Sequence, residues 1–121
     1  MTDETASSSF TTQVRKGLLS YCILTLCSDE PVYTSDLLVT LKEFEMIVTE
    51  GTLYPLLNRL KREGLLNYKW HESVSGPPRK YYEISAAGRK HLESLKKEWQ
   101  ALTNSVHQLE TRNSKSKTKG K

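Results

Sequence analysis

The feature that most limits how this chain can fold lies near its end, where Leu92, Leu95, Trp99, Leu102, Val106 and Leu109 follow one another at spacings of 3, 4, 3, 4 and 3. Alternating threes and fours hold apolar side chains on one narrow stripe of an α-helix, the a/d seam of a coiled coil. At about 1.5 Å per residue the seam is roughly 26 Å long. A chain of 121 residues builds one modest domain, which does not cover a seam of that length by itself. The seam therefore asks for another helix. A second copy of the chain is the simplest source, and packing on an earlier helix of the same chain is the alternative. Ser85 precedes the stretch as a candidate N-cap, so this helix is expected over 86–110.

A second amphipathic segment, Gly51 to Gly64, places Leu53, Leu56, Leu57 and Leu60 at i, i+3, i+4 and i+7. Opposite that stripe stand Gly51, Pro55, Asn58 and Arg62, flanked by Thr52, Tyr54 and Arg59. A helix facing only water normally mixes Glu with Lys, whereas this stretch has no acid between Glu50 and Glu63. An anionic partner is the sharper reading and a solvated face the plainer one. Thr49 is placed to cap the helix and Gly64 to end it in a left-handed conformation. Pro55 sits too far in to be a first-turn proline, so the helix start is expected to be irregular or kinked.

The remaining chain fits around these two helices. Residues 1–9 are polar and expected to be disordered. Phe10 to Cys27 reads as a helix with Val14, Leu18, Cys22 and Leu26 on one stripe, widened by Leu19 and Ile23. Ser28 to Pro31 stops it. Thr34 or Ser35 can cap a second helix that buries Leu37, Leu38, Leu41 and Phe44, and Met46 to Val48 could add a short strand. After Gly64, Leu66, Tyr68 and Trp70 alternate with polar residues, as do Tyr82 and Ile84, with Ser73 to Pro78 as a loop between two strands. Three helices, the third basic and amphipathic, followed by a hairpin carrying Arg79 and Lys80, make a winged helix-turn-helix. Such a unit seats its third helix in the DNA major groove and lays the hairpin along the backbone. The fold class is thus α+β, mostly α, with a winged domain over 10–85 and a dimerisation helix over 86–110.

Charge adds a qualification. The net charge is +4, but 111–121 carry Arg112 and four lysines with no acid, so the rest of the chain nets −1. This tail is expected to be disordered, either adding non-specific attraction to nucleic acid or only keeping the chain soluble. Cys22 and Cys27 lack metal or redox-motif spacing and read as small buried hydrophobes, with thiol sensing as the alternative. His71, His91 and His107 share no ligand spacing, and no nucleophile–base pair, phosphate-cradling loop or carboxylate pair is recognisable, so neither an enzyme nor a bound cofactor or metal is expected. No apolar run approaches the ~18 residues of a membrane span, and with no signal-peptide core at Met1 to Ser9 a cytoplasmic protein is expected.

Three stretches carry a resemblance to a known family: Arg15-Lys-Gly-Leu-Leu19, Glu50-Gly-Thr-Leu-Tyr-Pro-Leu-Leu-Asn-Arg-Leu60 with Gly64-Leu65, and Gly76-Pro-Pro-Arg-Lys-Tyr-Tyr82. With Gly88 and Trp99 following in order, the chain resembles the PadR family of bacterial transcriptional regulators, and its single long last helix resembles the shorter subfamily. The resemblance implies a winged-helix homodimer that usually represses transcription by binding a palindromic operator. It further implies, for some members, a pocket between subunits where a tryptophan matching Trp99 binds flat aromatic compounds; a large core residue is the alternative for Trp99. The chain departs from the family where many members have Tyr-Gly and it has Tyr33-Thr34.

The residues expected to meet DNA are Lys16, Tyr33, Thr49, Thr52, Tyr54, Asn58, Arg59, Arg62, Arg79 and Lys80. Arginine pairs bidentately with guanine and asparagine with adenine, which makes Arg59 and Asn58 the best candidates for reading sequence. Leu92, Leu95, Trp99, Leu102, Val106 and Leu109 are expected in a dimer interface. The competing reading is a winged helix used for protein interaction without specific DNA binding.

Overall fold

The computed structural model describes residues 2–46 and 49–119, with side-chain surroundings for 10–46, 49–72 and 74–113. In chain order the elements are α1 (Thr2–Cys27), β1 (Val32–Tyr33), α2 (Thr34–Glu43), α3 (Glu50–Arg62), β2 (Leu66–Ser73), β3 (Gly76–Ile84) and α4 (Ala86–Lys119). The strands form one antiparallel sheet in the order β1-β3-β2. Three helices and a hairpin with a long helix behind them make the winged helix-turn-helix anticipated from the sequence.

One core joins these elements. It contains Leu19, Ile23, Leu24 and Cys27 of α1, Leu37 and Leu41 of α2, Leu53, Leu57 and Leu60 of α3, Leu66 of β2 and Tyr82 of β3. An isolated 13-residue helix such as α3 is marginal in water. Burial of its three leucines, at about 1.5–3 kcal/mol each, is what holds it. On α1 the buried face differs from the expected one. Leu19 and Ile23 are central, Cys22 and Leu26 only pack at the core's edge, and Val14 is 38 % exposed. An all-round apolar helix has no moment to say which side faces in, and the positions of α2 and α3 decide it. Burial pushes the Cys27 thiol up to about 12 from the usual 9.0 and raises that of Cys22.

Both helix-turn joints end in the same hydrogen-bonded cap. After α3, Gly64 has a φ of 78°, its N–H reaches the Lys61 carbonyl and the Leu65 N–H reaches that of Leu60, a Schellman motif. After α2, Glu45 has a φ of 59° and the N–H groups of Glu45 and Met46 bond the Lys42 and Leu41 carbonyls. There a non-glycine residue holds the left-handed position. Phe44, expected in the core, is instead the C-cap of α2 and 75 % exposed, because the turn carries it past the buried stripe.

Several local expectations are corrected. The third strand is Val32–Tyr33, pairing with Tyr82 and Tyr81 of β3; two residues are too few to show a period, and only the free edge of β3 makes them a strand. The strand considered at 46–48 falls on Ile47 and Val48, which lie outside the described residues. The cap of α2 is Tyr33 rather than Thr34 or Ser35. Thr34 is buried, with Oγ1 3.5 Å from the Lys80 carbonyl.

The supposed loop 73–78 is a tight hairpin in which Ser73 pairs with Gly76 across Val74 and Ser75. The register shifts between His71 and Ser73, where Pro77 and Pro78 stand opposite Glu72. Prolines lack the N–H a ladder needs, and a bulge is where strands accept them. Pro55 likewise does not break α3, which runs unbroken from Glu50 to Arg62; the carbonyl its ring leaves unbonded is that of exposed Gly51, within reach of water.

The outer helices exceed their expected bounds. α1 begins at Thr2, inside the stretch expected to be disordered, and α4 continues to Lys119 instead of stopping at Glu110. Neither extension contains a proline or glycine, so no covalent signal ends the helix there. Residues 1 and 120–121 and the side chains of 2–9 and 114–119 lie outside the described residues.

Candidate nucleic-acid interface

The N-cap of α3 is Thr49, as expected, but its hydroxyl makes no cap bond and instead faces the Thr52 hydroxyl at 3.3 Å. The helix opens with Glu50 in its first turn and closes with Arg59, Lys61 and Arg62 in its last, charges placed to favour the helix dipole. With Leu53, Leu57 and Leu60 turned inward, Gly51, Thr52, Tyr54, Pro55, Asn58, Arg59 and Arg62 are all exposed.

On one flank of α3, the hairpin and the start of α2 enclose a cleft of about 300 Å³ lined by Tyr33, Thr34, Ser35, Tyr54, Trp70, Arg79 and Lys80. The sequence separates these residues by up to 47 positions; the sheet gathers them. The Arg79 guanidinium lies 3.8 Å above the Tyr33 ring, and its Nη2 donates to Ser35 Oγ at 3.1 Å. Tyr33 is fixed in turn by a 2.7 Å hydrogen bond between its hydroxyl and His71 Nδ1, and by an edge contact with Tyr81. The Lys80 ammonium sits 4.0 Å from the Tyr68 ring centre, 5.3 Å from that of Tyr82 and 5.9 Å from that of Trp70.

Such seats attract a cation by about 0.5–1 kcal/mol each at exposed sites. They also restrain two long side chains beforehand, so less rotamer freedom is lost when an anion binds. Phosphates of a nucleic-acid strand suit two cations and a row of hydroxyls at such an edge.

On the other flank Arg59 leans towards α1, where its Nη2 donates to Ser20 Oγ at 3.3 Å while Nε lies 3.8 Å from Glu63 Oε2. Lys16 stands one helical turn before Ser20 and is exposed. The ten expected residues thus fall into three groups. Tyr33, Tyr54, Arg79 and Lys80 line the wing-side cleft, Thr49, Thr52, Arg59 and Lys16 lie at the α3 start and α1 side, and Asn58 and Arg62 stand on the ridge between. Sequence reasoning missed Ser35, Trp70 and His71 as members of the wing cluster, Lys61, which lies 4.9 Å from the Tyr68 ring centre, and Ser20. The alternation of Tyr68 with Trp70 on one strand and of Lys80 with Tyr82 on the next, which puts all four on one face of the hairpin, was a usable signal for Trp70; nothing in the sequence linked Ser20 to Arg59.

Of the α4 seam, Leu92 and Leu95 pack at the edge of the core and Trp99 is half-buried. Leu102 is 60 %, Val106 49 % and Leu109 66 % exposed. No helix among the described residues is long and apolar enough to cross a membrane.

Comparison with known proteins places this geometry. The model of the transcriptional regulator PadR-like family matches residues 23–94. A PadR-like transcription factor from Bacteroides fragilis is 48 % identical, with 84 % of this chain and 98 % of that one covered at a TM-score of 0.71. A PadR family transcriptional regulator from Eggerthella lenta DSM 2243 is 31 % identical over 90 % and 96 % of the two chains, at a TM-score of 0.83. A PadR-like transcriptional regulator from Bacillus cereus ATCC 14579 is 39 % identical over 80 % and 95 %, at 0.73. An uncharacterized protein of Lysinibacillus sphaericus is 35 % identical over 52 residues, and the chain spans about half, 48 %, of the length of that curated relative. With the family match covering more than half of the chain and falling on its winged unit, this protein belongs to the PadR-like family of transcriptional regulators, DNA-binding proteins rather than enzymes.

Proposed function

We propose that the chain acts as a homodimeric repressor that binds a palindromic operator and leaves it when a small aromatic or hydrophobic effector binds. In this reading 10–85 form the DNA-binding unit and 86–110 the dimerisation helix. Its main support is the seam of α4, where Leu102, Val106 and Leu109 all stay exposed on a helix that has left the body of the domain. Water-facing apolar residues at strict heptad spacing are matched by a second identical seam. A two-fold dimer presents two α3 helices, and two-fold protein symmetry calls for a two-fold symmetric site.

In this dimer the acid-free face of α3 meets the major groove while Arg79 and Lys80 bind phosphates. Arg62, the last residue of α3, adds a further phosphate contact. Trp99 stands where the buried part of the seam gives way to the exposed part, so a planar compound seated beside it alters the angle between the two winged units. Such a compound induces only if it binds the DNA-incompetent dimer better than the competent one.

Footprinting on the chain's own promoter, with sedimentation of the free protein, tests the first part: a symmetric protected site and a dimer are expected. For the effector, planar aromatic compounds are titrated into a Trp70→Phe variant while Trp99 fluorescence and operator release are followed together. Binding without any change in operator affinity rules out induction by that route.

A further inference from the structure

We infer that Asn58 is the base-reading side chain of α3 and that its partner is an adenine, whereas Arg59 grips a phosphate; the inference rests on the reading of the chain as an operator-binding protein. Besides Arg62, the last residue of α3 and already read as a phosphate contact, four side chains on or beside the outward ridge of the helix, Thr52, Tyr54, Asn58 and Arg59, have the donors and acceptors to read a base. The structure commits three of them elsewhere. Thr52 faces the Thr49 hydroxyl. Tyr54 lines the cleft shared with the wing. Arg59 has Nε beside Glu63 and Nη2 on Ser20. The hydrogen bond occupies one of the side-on pair of donors with which an arginine can clasp guanine O6 and N7, and both contacts draw the guanidinium towards α1 and Glu63, away from the ridge. The Nη1 donors remain, enough for a phosphate oxygen on the α1 side, where Lys16 adds a second cation.

Asn58 is exposed and its amide makes no side-chain hydrogen bond among the described residues. The amide offers one acceptor beside one donor. Adenine presents N6–H and N7 in the major groove, a donor and an acceptor, and matches it; guanine presents two acceptors and does not. An asparagine is short, so the helix must approach closely, and the ridge is built for that. A Cβ added to Gly51 would meet nothing nearer than Thr49 Oγ1 at 3.7 Å, and the backbone there is not left-handed. Neither packing nor conformation therefore requires glycine at 51, although glycine weakens a helix relative to alanine. Its bareness serves something approaching from outside. Pro55 next along the ridge also carries no long side chain.

The test uses the full-length protein and duplexes selected by it from a random pool. Wild type is expected to select an adenine in each half-site at which 7-deazaadenine, lacking the N7 acceptor, weakens binding ~10-fold or more. Asn58→Ala should be indifferent to that replacement and to the base at that position. Arg59→Ala should weaken all duplexes alike and lower the slope of log affinity against log salt by about one. Gly51→Ala should fold with an undiminished melting temperature yet lose most of the adenine preference. The inference is overturned if Arg59→Ala relaxes a guanine preference while Asn58→Ala leaves every preference intact, or if no adenine in the selected site responds to 7-deaza substitution. Failure of wild type to bind any duplex at roughly 50 mM salt overturns the operator reading itself and this inference with it.

Discussion

The Ser85 hydroxyl donates a 2.6 Å hydrogen bond to the Gly64 carbonyl, tying the start of α4 to the end of α3. The same oxygen accepts from the Gly88 N–H at 2.9 Å, and the Ser85 N–H bonds the Leu65 carbonyl at 3.1 Å. One residue therefore caps α4 and fixes where that helix leaves the winged unit. Gly88 completes the joint, since a Cβ there would strike the Leu65 carbonyl oxygen.

Ser85→Ala should cost about 1 kcal/mol, the usual loss for an N-cap hydroxyl. Gly88→Ala should cost more, about 2–3 kcal/mol, because backbone must move to admit the methyl group. Urea unfolding of both variants checks the order, and equal stability of Gly88→Ala and wild type would show that the joint gives way easily.

The two Schellman joints predict opposite signs. Glu45 holds a φ of 59° without being glycine, a conformation that costs an L-residue about 1–2 kcal/mol. Glu45→Gly should raise stability by up to ~1 kcal/mol after the loss to unfolded-chain entropy. Gly64→Ala, at a φ of 78°, should lower it by ~1 kcal/mol or more. Thermal unfolding of the pair reads both.

Alkaline pH should destabilise the fold through Cys27. Its thiol is held protonated up to about 12 in the folded state against 9.0 when exposed, because burial disfavours the thiolate. The contribution is fully present below 9.0 and is lost as pH rises towards 12, with a slope approaching ~1.4 kcal/mol per pH unit for this group. Comparing urea midpoints near neutral and at about pH 10.5 should show a smaller decline in Cys27→Ala than in wild type. A thiol reagent at mildly alkaline pH should modify Cys27 only on unfolding.

On the wing, Arg79→Ala or Lys80→Ala should weaken binding to every duplex sequence and reduce the salt slope by about 0.9 for each phosphate that is no longer neutralised. Titrations at several salt concentrations measure it; an unchanged slope means that the residue does not bind phosphate.

At the seam, the double change Leu102→Glu with Leu109→Glu should give a monomer that keeps its helical circular dichroism, since both side chains are largely exposed within one chain. Sedimentation reads the state. A variant that still sediments as a dimer would place the interface elsewhere.

Periodic features were legible from the sequence alone. The leucine stripe of α3, the seam of α4, the alternation of the hairpin, Gly64 as a left-handed stop and Ser85 as a cap all follow from the spacing of side chains along one element, which the local backbone fixes. Tertiary structure decided what depends on a neighbour. β1 exists because β3 leaves an edge beside Val32 and Tyr33, and α1 buries Leu19 and Ile23 because α2 and α3 lie on that side. Phe44 is exposed because a turn ends the helix that would have buried it. The candidate interface divides the same way. Its cations and hydroxyls could be named from their chemistry, and hairpin alternation sets Lys80 among Tyr68, Trp70 and Tyr82, but Tyr33 under Arg79 and Arg59 against Ser20 join residues 46 and 39 positions apart, distances over which no local rule holds.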